Sequence, residues 1–227
     1  MSKPIASESI LARIRQSLGV GEEDAGRLNV VSQRLKTHTA NLIPERARLP
    51  YDERVRLFAE MLNSQSATLT IVEDSSEIPE AISAYLRENN LPARLRQGQD
   101  ELLSNLPWER TPQLERLSGC ASPDDLVALS RAPAAAAETG TLFLTSGPDN
   151  PTTLNFLPET HIVVLRSDDL FGSYEDAWNR LREVYGSGMM PRAVNLISGP
   201  SRTADIEQTI VMGAHGPKRL HVVLVAR

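Results

Sequence analysis

The chain has 227 residues, of which 41% are hydrophobic and only 4% aromatic, and its formal net charge is -5. That length suits one large domain, or one domain with a small N-terminal attachment, and its core must rest on Leu, Val, Ile and Ala. A mildly acidic, aromatic-poor chain offers neither the positive field nor the stacking platforms that nucleic acid demands, and it has no bulk attraction for an anionic membrane surface.

The opening MSKPIASESILARIRQSLG contains no long apolar stretch and reads as a short amphipathic helix, not a signal peptide. The spacing predicts this helix over 7–18, with Ile10, Leu11, Ile14 and Leu18 on one face and Gly19 as its stop. From Val20 to Pro50 the periodicity dissolves. The polar run from Lys36 to Pro44, holding the apolar pair Leu42 and Ile43, is expected to be an extended arm. It would dock on its own domain or on a neighbouring subunit, so a homo-oligomer through the 36–50 arm is one expected partnership. The expected domain organisation is therefore a helix and arm over 1–50 and an α/β domain over 51–227.

A second helix is expected after Pro50, burying Val55, Phe58, Met61 and Leu62. The alternating Thr68-Leu69-Thr70-Ile71-Val72 reads as a strand, and Pro79 sits in the first turn of a helix whose inner face is Ile82, Tyr85 and Leu86. A weak strand near 93–95, a short helix near 101–106 and a strand at 127–129 follow. The four alanines 134–137 lie between a proline and a Thr-Gly-Thr turn, too few for a helix. Extended backbone in a crowded place is expected there, the small side chains letting other elements approach.

The last ninety residues are the clearest. Strands are expected at 141–145, 161–165, 194–197 and 221–225, with helices at 174–185 and 203–212, the latter stopped by Gly213. Near-continuous apolar strands separated by helices indicate an α/β fold with a mainly parallel sheet flanked by helices. No stretch approaches 18 uninterrupted apolar residues, so no membrane span is expected. The single cysteine, Cys120, fits a reducing cytoplasm, forms no intrachain disulfide and is too few to hold an iron–sulfur cluster. The histidines His38, His161, His215 and His221 have no zinc-type spacing, so no metal site is expected.

Three stretches carry candidate chemistry. In Ile197-Ser198-Gly199-Pro200-Ser201-Arg202-Thr203-Ala204-Asp205-Ile206-Glu207, a strand, a tight loop and a helix start would present free N–H groups to an anion, with Arg202 clamping a carboxylate or phosphate. The bland alternative is a capped helix with a surface arginine. It is neither a dinucleotide fingerprint nor a P-loop. In Ala137-Glu138-Thr139-Gly140-Thr141 the glutamate is either a base or nucleophile, or an acceptor tying up loop N–H groups. In Gly213-Ala214-His215-Gly216-Pro217-Lys218-Arg219 the histidine either shuttles protons or grips an anion, or simply bonds to backbone. His161 and His221 begin strands and read as structural.

Ala-Glu-Thr-Gly-Thr-Leu at 137–142, Leu-Pro-Glu-Thr-His-Ile-Val-Val at 157–164, Ser-Gly-Pro-Ser-Arg-Thr-Ala-Asp-Ile-Glu at 198–207 and Gly-Ala-His-Gly-Pro-Lys-Arg-Leu-His-Val at 213–222 stand in one order. With Asn-Leu-Ile-Pro-Glu-Arg-Ala at 41–47, they resemble the lactate utilisation protein C family, the LUD-domain proteins. The resemblance implies a NagB/RpiA/CoA-transferase-like fold. It implies a role in oxidising L-lactate to pyruvate beside two iron–sulfur partner proteins, which fits a chain that has no cofactor ligands of its own. A stand-alone enzyme acting on a small carboxylate, phosphate or CoA ester is the alternative. The positions to test are Glu138 and His215 as catalytic groups, and Thr139, Thr141, Ser201, Arg202, Thr203, Asp205 and Glu207 as ligand-binding groups.

Overall fold

The computed structural model describes residues 6–21, 24–37, 39–186, 188–204 and 210–226. The chain divides into two compact units, Met1–Asn41 and Leu42–Arg227. The first unit holds α1 (Ala6–Ser17), where a helix was expected, and α2 (Ala25–Thr37). α2 corrects the reading of a chain without periodicity after Val20. Leu28, Val31 and Leu35 do recur at helical spacing, but all three are exposed and the stripe is too narrow to stand out. Of the expected arm, residues 39–44 carry no regular structure, Leu42 is exposed, and His38 lies outside the described residues. No helix among the described residues is long and apolar enough to cross a membrane.

The second unit is built on a six-stranded sheet, its strands numbered along the chain. Their order is β1 (Thr68–Val72), β12 (Arg219–Val225), β7 (Thr160–Arg166), β4 (Val127–Ala132), β2 (Arg94–Gln97) and β3 (Glu115–Ser118), every neighbouring pair parallel. The α/β fold with a mainly parallel sheet is as expected. Strand periodicity explains the continuous apolar runs, because both faces are covered. Ile162, Val164, Val223 and Val225 pack on one face against Ile82, Tyr85 and Leu86 of α4 (Ile78–Glu88). Val163, Leu165, Val222 and Leu224 pack on the other, against Phe58 and Leu62 of α3 (Tyr51–Ser64).

That second face also receives a sheet that periodicity did not separate from the first. Its order is β8 (Leu170–Phe171), β5 (Ala134–Ala136), β6 (Thr141–Thr145) and β9 (Val194–Ile197), with β6 antiparallel to both neighbours. Ala135, Leu142 and Leu144 face the large sheet, while Ala134, Ala136 and Phe143 face Ala177 and Leu181 of α6 (Tyr174–Tyr185). The alanine run is thus extended and fully buried, with small side chains on both faces letting a sheet and a helix close in.

One expected helix is replaced. The described ends of the 203–212 stretch are strands: Arg202–Ala204 (β10) and Ile210–Met212 (β11) pair antiparallel, and 205–209 lie outside the described residues. The β-branched Thr203, Ile210 and Val211 suit ladder pairing, which outweighs the weak helical pattern of the sequence. The described backbone around Ser201 and Arg202 therefore offers no helix N-terminus to an anion.

Candidate functional site

A cleft of about 210 Å³ opens where the amino ends of β7 and β12 meet the end of β9. Its walls are largely apolar, from Phe156, Leu196, Ile197, Pro200, Pro217 and Leu220. Five polar side chains interrupt them: Asn155, His161, Ser198, Ser201 and His215. A mostly apolar concavity with a few convergent polar groups is the usual form of a small-molecule site. Two backbone bonds fix its rim: Ser201 N–H donates to the Pro217 carbonyl (2.8 Å) and Gly213 N–H to the Ser201 carbonyl (2.9 Å). The rim is thereby also the base of the β10–β11 hairpin.

Two fully buried side chains of this cleft have hydrogen-bonding atoms without a protein partner. Asn155 ends a 3-10 turn at Thr152–Asn155, and neither its amide oxygen nor its amide nitrogen is bonded. His161, second residue of β7, bonds Ser130 Oγ through Nε2 at 3.0 Å, but its Nδ1 is unpartnered. Burial pushes the His161 imidazole down to about 3, so the ring is neutral at physiological pH. An unpaired buried polar group costs about 1–3 kcal/mol, so these two side chains are a local cost carried in the cleft wall. His221, the other strand histidine, also leaves one buried nitrogen, Nε2, unpartnered, but it does not line the cleft. It bonds Thr68 Oγ1 at 2.8 Å and stacks on Tyr85, which fits a structural role.

The Glu-Thr-Gly loop lies behind the cleft. Gly140 turns it at φ +67, and a Cβ there would fall 2.9 Å from Cβ of Met61, so both conformation and space demand glycine. Thr141 Oγ1 is a hub, 2.6 Å from Thr139 Oγ1, 2.7 Å from Tyr174 OH and 2.7 Å from Ser198 Oγ. One hydroxyl with one proton and two lone pairs is saturated by three such neighbours. Ser198 carries this network to the cleft wall. Glu138 is buried, does not line the cleft, and accepts the Tyr174 N–H through Oε1 at 2.9 Å. It therefore seats the first turn of α6, next to the Ser173 N-cap, where a carboxylate also favours the helix dipole. This geometry favours the acceptor reading of Glu138 over the base. Glu138→Gln, which keeps an acceptor oxygen, should shift stability by less than about 0.5 kcal/mol, and Glu138→Ala should cost about 1–2 kcal/mol, both read by urea unfolding.

The remaining candidates separate. Ser201 and His215 line the cleft. Arg202 does not; its Nη2 donates to exposed Ser66 Oγ at 2.7 Å. No lysine or arginine is among the described residues lining the cleft, so the expected carboxylate clamp is missing from it. Thr203 pairs with Val211 in the hairpin, and Asp205 and Glu207 lie outside the described residues. Glu138, Arg202 and His215 thus do not share one pocket. Arg202→Ala should change stability by less than about 0.5 kcal/mol in thermal unfolding, as expected for an exposed hydrogen bond.

Strand-end reasoning points to the carboxyl ends of a parallel sheet. There the structure has a charged basin of about 480 Å³, whose arginines each have a carboxylate partner. Arg131 Nε meets Asp100 at 2.8 Å, and Arg180 meets Asp169 at 3.2 Å. The cleft with unsatisfied groups lies at the opposite ends. Asn155, His161 and Ser198 were absent from the sequence candidates. Asn155 sits in an unpatterned Thr-Thr-Leu-Asn stretch, and the strand position of His161 suggested scaffold; only its place in the cleft wall with one nitrogen unpartnered, a three-dimensional fact, marks it. Among the described residues, no group of three or more His, Cys, Asp or Glu is placed to hold a metal ion.

Comparison with known proteins gives three findings. The model of the LUD domain matches residues 55–225. An uncharacterized protein of Neisseria meningitidis is 39% identical over 89 residues, covering 39% of this chain and 37% of that protein. Proteins named lactate utilization protein C are similar at 35% identity in Shouchella clausii, covering 39% of each chain, and at 34% in Bacillus subtilis, covering 40% of this chain and 38% of that protein. The matched part thus spans less than half the length of these relatives. The crystal structure of a DUF162 family protein from Deinococcus radiodurans superposes with a TM-score of 0.58 at 23% identity, covering 78% of this chain and 99% of that one, which supports the fold.

Proposed function

The chain belongs to the LUD domain family, and from that premise we propose that it works in bacterial lactate utilisation, as a component of the system that oxidises L-lactate to pyruvate. The names of the similar proteins support the lactate role. Oxidation of lactate to pyruvate releases two electrons and two protons. A chain with one cysteine in 227 residues lacks the thiolates for a cluster of its own. In this reading the electrons pass to two iron–sulfur partner proteins, and this chain handles the small organic ligand. The observation that carries the ligand role is the cleft, where Ser198, Ser201 and His215 from two sequence motifs surround two buried side chains with unmet hydrogen bonds.

The test is growth. Deleting the gene in its native host should abolish growth on L-lactate as sole carbon source and leave growth on glucose unchanged, and affinity-tagged protein should co-purify two iron–sulfur proteins from lactate-grown cells. Normal growth on lactate after deletion, with no paralogue present, would overturn the role.

A further inference from the structure

We propose that the N-terminal unit is a membrane-surface anchor, in which the apolar stripes of α1 and α2 lie in the interface of a bilayer that contains anionic lipid. The formal net charge of -5 conceals an uneven distribution. Residues 1–41 carry six Lys and Arg against four Asp and Glu, whereas residues 42–227 carry 18 against 25. A basic unit thus precedes an acidic domain, and the change of sign coincides with the boundary between the two compact units. Within α2 the bias is complete, because Arg27, Arg34 and Lys36 are its only charged residues.

The same two helices carry apolar stripes. At about 3.6 residues per turn, Ile10, Leu11 and Ile14 fall within roughly 100° of one another on α1. Leu18, whose N–H donates to the Ile14 carbonyl, extends that stripe. Leu28, Val31 and Leu35 fall within roughly 60° of one another on α2. All seven side chains are 48–66% exposed. Arg13 and Arg15 stand on opposite borders of the first stripe; Arg27 and Arg34 stand on one border of the second and Lys36 on the other. Long basic side chains so placed can lay their methylenes along an apolar surface and keep the charge at the level of lipid headgroups. The stripes are wholly aliphatic, and residues 1–41 contain no Phe, Trp or Tyr. Aliphatic side chains enter a layer of acyl chains without shape complementarity, whereas protein partners are anchored mostly by aromatic residues and Arg in fitted pockets. The basic excess selects the anionic lipid and opposes a second copy of the same unit, which would bring like charge. This anchor is independent of the cleft and of its ligand.

Co-sedimentation of the full chain with vesicles tests the inference. Phosphatidylcholine vesicles holding about 30% phosphatidylglycerol should carry the protein down at about 0.05 M NaCl, and pure phosphatidylcholine vesicles should bind it at least about tenfold more weakly. Raising NaCl to about 0.5 M should weaken the anionic binding by at least about tenfold. Arg27→Gln, Arg34→Gln and Lys36→Gln combined should do the same, and so should Leu28→Ser combined with Leu35→Ser. All five residues are exposed, so both variants should unfold at the wild-type Tm. No sedimentation with the anionic vesicles, equal binding to the two kinds of vesicle, or undiminished binding by either variant would overturn the inference. A dimer in solution that Leu28→Ser with Leu35→Ser converts to monomer would also overturn it, because the stripes would then cover one another.

Discussion

Between about pH 7 and pH 5 the protein should lose about 4 kcal/mol of stability, from two buried histidines alone. Burial holds His161 at about 3 and His221 at about 4, against 6.5 for a free imidazole. Both folded values lie below the unfolded one, so the unfolded chain binds protons first. The contribution is complete above about pH 6.5 and is lost as the pH falls, until it passes the folded values. Over most of that range the slope should approach two protons, or about 2.7 kcal/mol per pH unit. Asp169 works in the opposite sense, since burial raises its carboxyl against the pull of Arg180 and Arg131, and its folded form takes up a proton before the unfolded chain does. Urea unfolding at a series of pH values measures the slope, and His161→Gln and His221→Gln should each remove about half of it. A flat profile down to pH 5 would mean that the two rings titrate normally.

Gly172→Ala should cost about 3 kcal/mol or more, a fall of roughly 10 °C in Tm for a chain of this size. A Cβ at Gly172 would land on the carbonyl oxygen of Ala47 and 2.9 Å from its carbon. Both partners are backbone, so neither yields by a change of rotamer. Displacement would also spread, because the Gly172 carbonyl accepts the Glu138 N–H at 3.1 Å, and Glu138 in turn seats α6. Gly147, where an added Cβ meets nothing within 4 Å, is the control and should tolerate alanine with little change. Thermal unfolding of the two variants side by side gives the comparison.

Much of the fold was legible because burial on both faces leaves a plain signature. The middles of β7 and β12 are continuously apolar, Ile162 to Leu165 and Val222 to Val225, since alternate residues fill different cores. The short alanine strand was readable from its neighbours, a proline and a turn that leave no room for a helix. β3 was not, because an edge strand of sequence Glu-Arg-Leu-Ser has no buried face to pattern it. The β10–β11 pairing was misread because 203–212 reads in sequence as one helix, whereas its β-branched ends pair with each other.

The site was half legible. Ser201 and His215 belong to motifs that could be singled out in the sequence, and they do meet in the cleft. Arg202 could be read as an anion clamp or as a surface arginine, and it bonds exposed Ser66, the local backbone being a strand. The decisive groups, Asn155 and His161, are ordinary in sequence. Their unpaired atoms show only in three dimensions, as does the contact of His161 with the distant Ser130.

The central claim is that this cleft, and not the surface around Arg202, does the work. Leu196 lines the cleft from the exposed edge strand β9, so a larger side chain there obstructs it at little cost to the core. The direct measurement is growth on L-lactate of the deletion strain carrying Leu196→Trp or Arg202→Ala at matched protein levels. The account predicts no growth with Leu196→Trp and normal growth with Arg202→Ala; wild-type growth with Leu196→Trp would contradict it.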